Sequence, residues 1–357
     1  MSRTDAPVLL TGSVPLSSTE EVLAAVGDEL GDLLAAFPDG ETGYRTNWIN
    51  YQAYFVFHPH PDIETLLRPA DVDGVPQWSP SSFADLWKFR VRDGAGKVEF
   101  GDLYYAEAAI RSYVPFRDLR AAGRLPAGAR FQVSLPTAPG GIYAFFREDG
   151  SDYERVREGY EAALAREISK MLAVIPADDL AIQWDVCNEV MDNEGAYPWL
   201  SGPPDSWHRF EQAVLATGAA VPREVALGYH LCYGDLGGHH IVEPRDLRLL
   251  TDMANAARAG AGRDVDWFHM PVPAGRSDPG YFAPLADLEA GETALYLGLI
   301  HRGDGVDGAR RRIEAARRHA RGTFGVATEC GFGRLPSDAV RPLLRLHREV
   351  AELLRAG

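Results

Sequence analysis

Two residue types that bind soft metals stand two apart in Tyr229-His230-Leu231-Cys232-Tyr233, at the end of the apolar run Val225-Ala226-Leu227-Gly228. If that run is a β-strand, side chains two apart point to the same side, so His230 and Cys232 present an imidazole and a thiol to one point in space. Nitrogen plus sulfur suits zinc, which takes four such ligands in a structural site, or three and an open position in a catalytic one. The alternative is a buried His beside a buried Cys, because a free Cys packs as a small hydrophobe. The pair alone leaves both readings open. What decides is whether further ligands fall where a fold would bring them.

The elements that must position them are regular after Pro126. Apolar runs at 130–135, 180–185, 225–231, 265–270, 294–300 and 324–329 alternate with helical stretches over about 151–174, 205–219, 244–259, 305–321 and 337–355. Strands alternating with helices imply βαβ units and a parallel sheet. With an N-terminal strand, Pro7-Val8-Leu9-Leu10-Thr11-Gly12-Ser13, and one strand from residues 38–126, the count reaches eight. That count predicts a single (β/α)8 TIM barrel; an open doubly wound sheet fits the same alternation. No GxGxxG or Walker loop follows a strand, which weakens nucleotide and dinucleotide readings. Residues 17–37 read as a helix, with Ser18 and Glu21 spaced as a capping box. Residues 38–126, rich in aromatics, Pro and Asp, are expected to be an insertion covering the mouth, with strands at 53–57 and 97–104. The chain shows no fixed repeat and no low-complexity linker, so 1–357 is read as one domain.

The formal charge of −15 argues against a nucleic-acid or anionic-membrane partner, since both reward clustered Lys and Arg. The one basic cluster, Arg310-Arg311-Arg312 with Arg317-Arg318, recurs at helical spacing and is expected to form a solvated face. Three cysteines, odd in number and far apart, make no disulfide framework and fit a reducing, cytoplasmic setting. The first residues lack a signal-peptide core, and no run is long enough to span a membrane.

In a barrel, active-site residues stand at the C-terminal ends of strands. Those ends here carry Gly12 and Ser13, Asp185 in Gln183-Trp184-Asp185-Val186-Cys187, His230 and Cys232, His269, His301, and Glu329-Cys330-Gly331. Chemistry-bearing side chains therefore gather where the fold would bring them together.

This set resembles the C-terminal catalytic barrel of cobalamin-independent methionine synthase, in the superfamily that includes uroporphyrinogen decarboxylase. That family binds zinc through a His-x-Cys after one strand, a Glu after the next and a Cys in Asp-Cys-Gly after the last. His230 and Cys232 match the first pair, and Cys330 in Glu329-Cys330-Gly331 matches the last. Gly12-Ser13, Gly40-Glu41 and Ile182-Gln183-Trp184-Asp185 resemble the family's homocysteine site, and His301 occupies the place of its catalytic His. The resemblance implies Zn2+ as cofactor and methyl transfer to a thiol, homocysteine leading among acceptors. It implies that Ser13 holds the substrate carboxylate, that Glu41 and Asp185 hold its ammonium, and that His301 is the general acid. Where the family has its zinc-binding Glu, this chain has His269, which gives a His230, Cys232, His269, Cys330 ligand set. Where the family's folate site has a Trp, this chain has Leu135-Pro136-Thr137-Ala138, so the donor stays open between folate, a corrinoid protein and a small methylated compound.

Other readings remain beside these. Within the superfamily a lyase or decarboxylase is the alternative, disfavoured by the lack of an Arg-rich N-terminal motif; a zinc-storing or small-molecule-binding protein is another. Ser13 could cap the first helix, Glu41 could be a solvated turn residue, and His301 could pair with Asp304. Cys187 reads as core or pocket lining. His58 and His60, flanked by prolines, read as a loop, as do Gly238, His239 and His240.

Overall fold

The structure is a computed structural model that describes residues 7–46, 49–77, 79, 86–146, 151–196, 205–234 and 240–356. Its frame is a parallel sheet of β1 (Ala36–Pro38), β4 (Arg130–Pro136), β5 (Leu180–Val186), β6 (Ala226–Leu231), β7 (Trp267–Pro271), β8 (Ala294–Ile300) and β9 (Gly325–Thr328). Neighbours in that order are hydrogen-bonded, and each pairing is parallel. β2 (Ile63–Leu67) and β3 (Lys88–Val91) form a separate antiparallel pair inside the expected insertion.

The central strands are buried along their whole length, as parallel strands covered by helices must be. Helices Tyr153–Leu172, Asp205–Ala220, Arg248–Gly260, Gly305–Arg317 and Val340–Ala356 follow the expected spans closely. The sheet curls, and its two edges approach each other across the N-terminal segment. Val8 forms a parallel bridge to Val326 of β9, and Ser13 one to Gly40 just after β1. The segment is held by these isolated bridges rather than by a continuous ladder, so seven strands form the sheet and the eighth position is only partly built.

Three expectations change. The helix expected over 17–37 runs from Thr19 to Leu30; Gly31 follows it, and Ala36–Pro38 becomes β1. Residues 53–57 form a π-helical turn rather than a strand, and no strand covers 97–104. Helix Tyr105–Ala121 lies inside the expected insertion, yet it packs on helices Thr19–Leu30 and Tyr153–Leu172 like the other covering helices.

Polar side chains inside the curl tie the N-terminal segment to the sheet. Gln132 donates to the Leu10 carbonyl at 2.9 Å, and Gln183 donates to the Thr11 carbonyl at 2.6 Å and to Asp185 Oδ1 at 2.9 Å. Each replaces a backbone bond that a full ladder would have made, since buried polar groups need partners. Gly228 is required by close approach: a Cβ there would lie within the ring of Trp267, its partner in the β6–β7 register.

Candidate active site

Register explains which side chains meet. Asp185 of β5 pairs with His230 of β6, His230 with His269 of β7, and His269 with Tyr296 of β8. Cys232 lies one step beyond β6, and its N–H still bonds the Val186 carbonyl at 2.9 Å, so the ladder holds it in place. Cys330 enters from the end of β9. The donor atoms of His230, Cys232 and Cys330 all lie within 4.8 Å of one another. A tetrahedral zinc with bonds of ~2.0–2.3 Å would draw such donors slightly closer, a matter of side-chain rotation.

The two thiols of this trio hold their protons. The Cys232 thiol is pushed well above its ordinary range by the adjoining Cys187 thiol and by burial, although contact with Cys330 works the other way. Cys330 is likewise raised, chiefly by Cys232, while His230 lowers it. Crowded thiols resist ionising together; a bound metal ion reverses this by deprotonating its thiol ligands.

His269 does not join the trio. Its Nε2 meets the Thr328 carbonyl at 3.0 Å and its Nδ1 meets His230 Nδ1 at 2.6 Å, so both nitrogens are engaged. A carbonyl only accepts, so Nε2 carries the ring's proton, and burial keeps His269 neutral by pushing its pKa well down. Nδ1 of His269 is then an acceptor and His230 Nδ1 the donor. This leaves His230 Nε2 bare, and it is a buried atom without a hydrogen-bond partner. A bare imidazole nitrogen beside two thiols is the form that a zinc ligand takes, with its other nitrogen fixed by a neighbour. His269, expected as a fourth ligand, is engaged with His230 and the Thr328 carbonyl and is not among the grouped donors. His269→Phe should weaken zinc binding by about 10–100-fold while leaving the fold intact, as loss of such a partner does; a chelator-competition titration reads it.

The second half of the site is built on the N-terminal segment. Ser13 Oγ accepts the Gly333 N–H at 3.3 Å and is not the helix cap, which is Ser18, whose side chain accepts from the Glu21 N–H at 3.2 Å. Glu41 sits in a tight turn in which its N–H bonds Asp39 Oδ1 at 2.9 Å and Arg45 pairs with Asp39. Glu41 has φ +52°, a left-handed conformation that costs a non-glycine residue energy and that clusters at functional sites. Gly40, at φ +81°, has no room for a Cβ against Val22. The turn aims a buried carboxylate inward rather than into solvent. A Cβ on Gly12 would lie 3.6 Å from that carboxylate, which places Glu41 beside Gly12. Burial and then the Asp185 charge push Glu41 up to about 8. The structure therefore brings Gly12, Ser13, Glu41 and Asp185 to one place, with Glu41 keeping its proton beside Asp185 below about pH 8.

His301 does not take Asp304 as its hydrogen-bond partner. It donates from Nε2 to the Val272 carbonyl at 2.9 Å and turns Nδ1 to Glu329 Oε2 at 3.4 Å. Asp304 is gripped instead by Arg312 at 2.7 and 2.8 Å. Arg312, expected on a solvated face, is buried and also bonds the Leu299 and Ala274 carbonyls. Burial and then the Arg312 charge lower His301 to about 4. Sequence reasoning passed over Glu329, although it precedes Cys330, and preferred a loop for His240 over lining the pocket of the lead motif. His240 Nε2 lies 3.2 Å from Glu329 Oε1, so one carboxylate stands between two imidazoles. Gly238 and His239 lie outside the described residues. A cavity of about 590 Å³ opens beside this group, lined also by Glu243, Arg276 and Arg302. His58 and His60 bond Thr65 Oγ1 and the Glu99 carbonyl and are structural.

No family model matches the chain, and no curated protein matches it by sequence. Among solved structures, a B12-independent methionine synthase from Shewanella sp. W3-18-1, in complex with selenomethionine, is similar over 98% of this chain and 98% of its own, with TM-score 0.61 and 14% identity. A Schiff-base-forming fructose-1,6-bisphosphate aldolase is similar over 52% of this chain and 62% of its own, at TM-score 0.33 and 15% identity. The first of these likenesses shows an α/β fold of TIM-barrel type; the second carries no argument. No helix among the described residues is long and apolar enough to cross a membrane.

Proposed function

We propose that this chain is a zinc-dependent transferase that moves a methyl group to the thiol of a small α-amino acid, homocysteine being the leading acceptor, on a closed (β/α)8 barrel. The observation that carries the reading is the adjacency of two complementary half-sites. A Cβ on Gly331 would collide with Ser13 Oγ, so the amino-acid pocket begins one residue from Cys330. An amino acid whose ammonium lies between Glu41 and Asp185 and whose carboxylate reaches Ser13 would direct a thiol side chain toward His230, Cys232 and Cys330. The similar fold solved with selenomethionine, an amino acid with a methylated chalcogen, fits the same assignment.

Zinc, when bound, favours the thiolate form of an incoming thiol near neutral pH. The chain's own residues do the rest. His269 holds His230 in the ligand tautomer, Gln183 fixes Asp185, and the left-handed turn at Glu41 keeps its carboxylate facing the ammonium. His301 is the candidate general acid; its Nε2 is held by the Val272 carbonyl, and Glu329 beside Nδ1 is the group that would favour its charged form during turnover. The cavity beside His240, His301, Arg276 and Arg302 is where a donor could approach the trio.

The test is isothermal titration of the zinc-loaded protein with L-homocysteine and with L-norleucine, which lacks the thiol. Homocysteine should bind at least about tenfold more tightly, and zinc-free protein should lose that preference. Equal affinities in both forms would sink the assignment.

A further inference from the structure

Among the described residues three donors are grouped, one short of a tetrahedral set, and His269 has both its nitrogens engaged. Resting on the zinc reading above, we infer that Cys187 is a third sulfur donor, completing a His230, Cys187, Cys232, Cys330 set in the absence of substrate.

Register is the first ground. Asp185 pairs with His230 and Val186 with Leu231, and the Cys232 N–H to Val186 carbonyl bond at 2.9 Å carries the ladder onward, so Cys187 and Cys232 are the next cross-strand neighbours. Position is the second. On β5, Gln183 and Asp185 are two apart and face the interior, where they bond each other, and the chain turns into helix Asn188–Asn193 at Cys187, directly after the strand. Contact is the third: the Cys187 thiol lies within hydrogen-bonding reach of Cys232, and Cys187, Cys232 and Met191 form one small buried cluster against which Cys330 packs. Cys187 approaches the trio from the Asp185 side, the side from which an amino-acid thiol would also arrive. It is not one of the three tightly grouped donors, so among the sulfurs it is the one that must swing inward to bind.

The arrangement gives the empty site a closed shell of four protein ligands and makes thiol binding an exchange. A substrate thiol would take the place of Cys187 as donor, its proton passing to the released Cys187 sulfur. One thiolate replaces another, so the charge at the metal is unchanged.

X-ray absorption at the zinc edge of the full chain, loaded with zinc alone, counts the sulfurs. Three are expected in the unaltered protein and two in both Cys187→Ala and Cys187→Ser, with zinc affinity down at least tenfold by chelator competition. Circular dichroism confirms that the variants fold. Two sulfurs in the unaltered protein, unchanged by either substitution, would overturn the Cys187 assignment while leaving the three-ligand centre standing. Protein that takes up no zinc would overturn the metal centre itself, and this inference with it.

Discussion

Replacing Cys330 by serine should strip the metal, taking zinc from near one per chain to a small fraction and abolishing thiol alkylation. A hydroxyl is a poor zinc ligand, and only two of the three grouped donors would remain. Loss of an outer partner costs 10–100-fold in affinity, so loss of a direct ligand should exceed about a hundredfold. Stability should fall less, because Cys330 is partly exposed and packs at the rim of a small cluster. Plasma mass spectrometry of freshly purified protein makes the comparison, with Cys232→Ser as a second case. Zinc retained at one per chain in either variant would show that the trio is not the metal's seat.

The second large effect concerns the paired carboxylates. Asp185→Asn should lower kcat/KM for an amino-acid thiol by about 10²–10³, since a buried charge facing an ammonium is worth roughly 2–5 kcal/mol. The pH profile separates this from general damage. Glu41 is raised to about 8, so below that pH the empty site holds its proton, and the ammonium must enter against a neutral acid. The rate constant should therefore rise with pH through about 8. Asp185 is one cause of the raised value, so Asp185→Asn should move the rising limb to lower pH, and Glu41→Gln should flatten it. Stability of the empty protein runs the other way. A carboxyl that binds its proton more tightly folded than unfolded loses native stability as pH climbs from the ordinary carboxylate value to about 8. An unaltered protein with a flat profile across pH 8 would rule out this role for Glu41.

The strand ends were legible because parallel strands buried on both faces read as plain apolar runs, and a barrel-type fold brings such ends together. Strand-end reasoning put His230, Cys232, Cys330, Ser13 and Asp185 among the candidates, the family resemblance supplied their roles and added Glu41, and the structure brings His230, Cys232 and Cys330 together. Such reasoning failed where a neighbour decides the matter. His269 stands on its strand as expected, but register sets its ring against His230, and spacing within one strand does not reveal cross-strand partners. Tyr54-Phe55-Val56-Phe57 has the aromatic and β-branched content of a strand, and tertiary packing makes it helical. Gly31 was the available signal for the early helix end. Arg312 looked solvated because an arginine triplet does not disclose that one member turns inward to Asp304. Glu329 was visible only as a companion of Cys330, and His240 carried no signal beyond its closeness in sequence to Cys232.

The bridges from Ser13 to Gly40 and from Val8 to Val326 carry a further meaning for how the protein comes into being. The Phe332 N–H bonds the Ser13 carbonyl at 3.0 Å, and Ser13 Oγ receives Gly333 from 320 residues away. A contact of that span is among the slowest for a chain to make, because the intervening loop must close first. During synthesis Cys330 and the Gly333 N–H that supports Ser13 leave the ribosome together, after nearly all of the sheet. A nascent chain therefore cannot complete this cluster before Ser13 and Gly333 have met, so its assembly becomes a mark of completed folding.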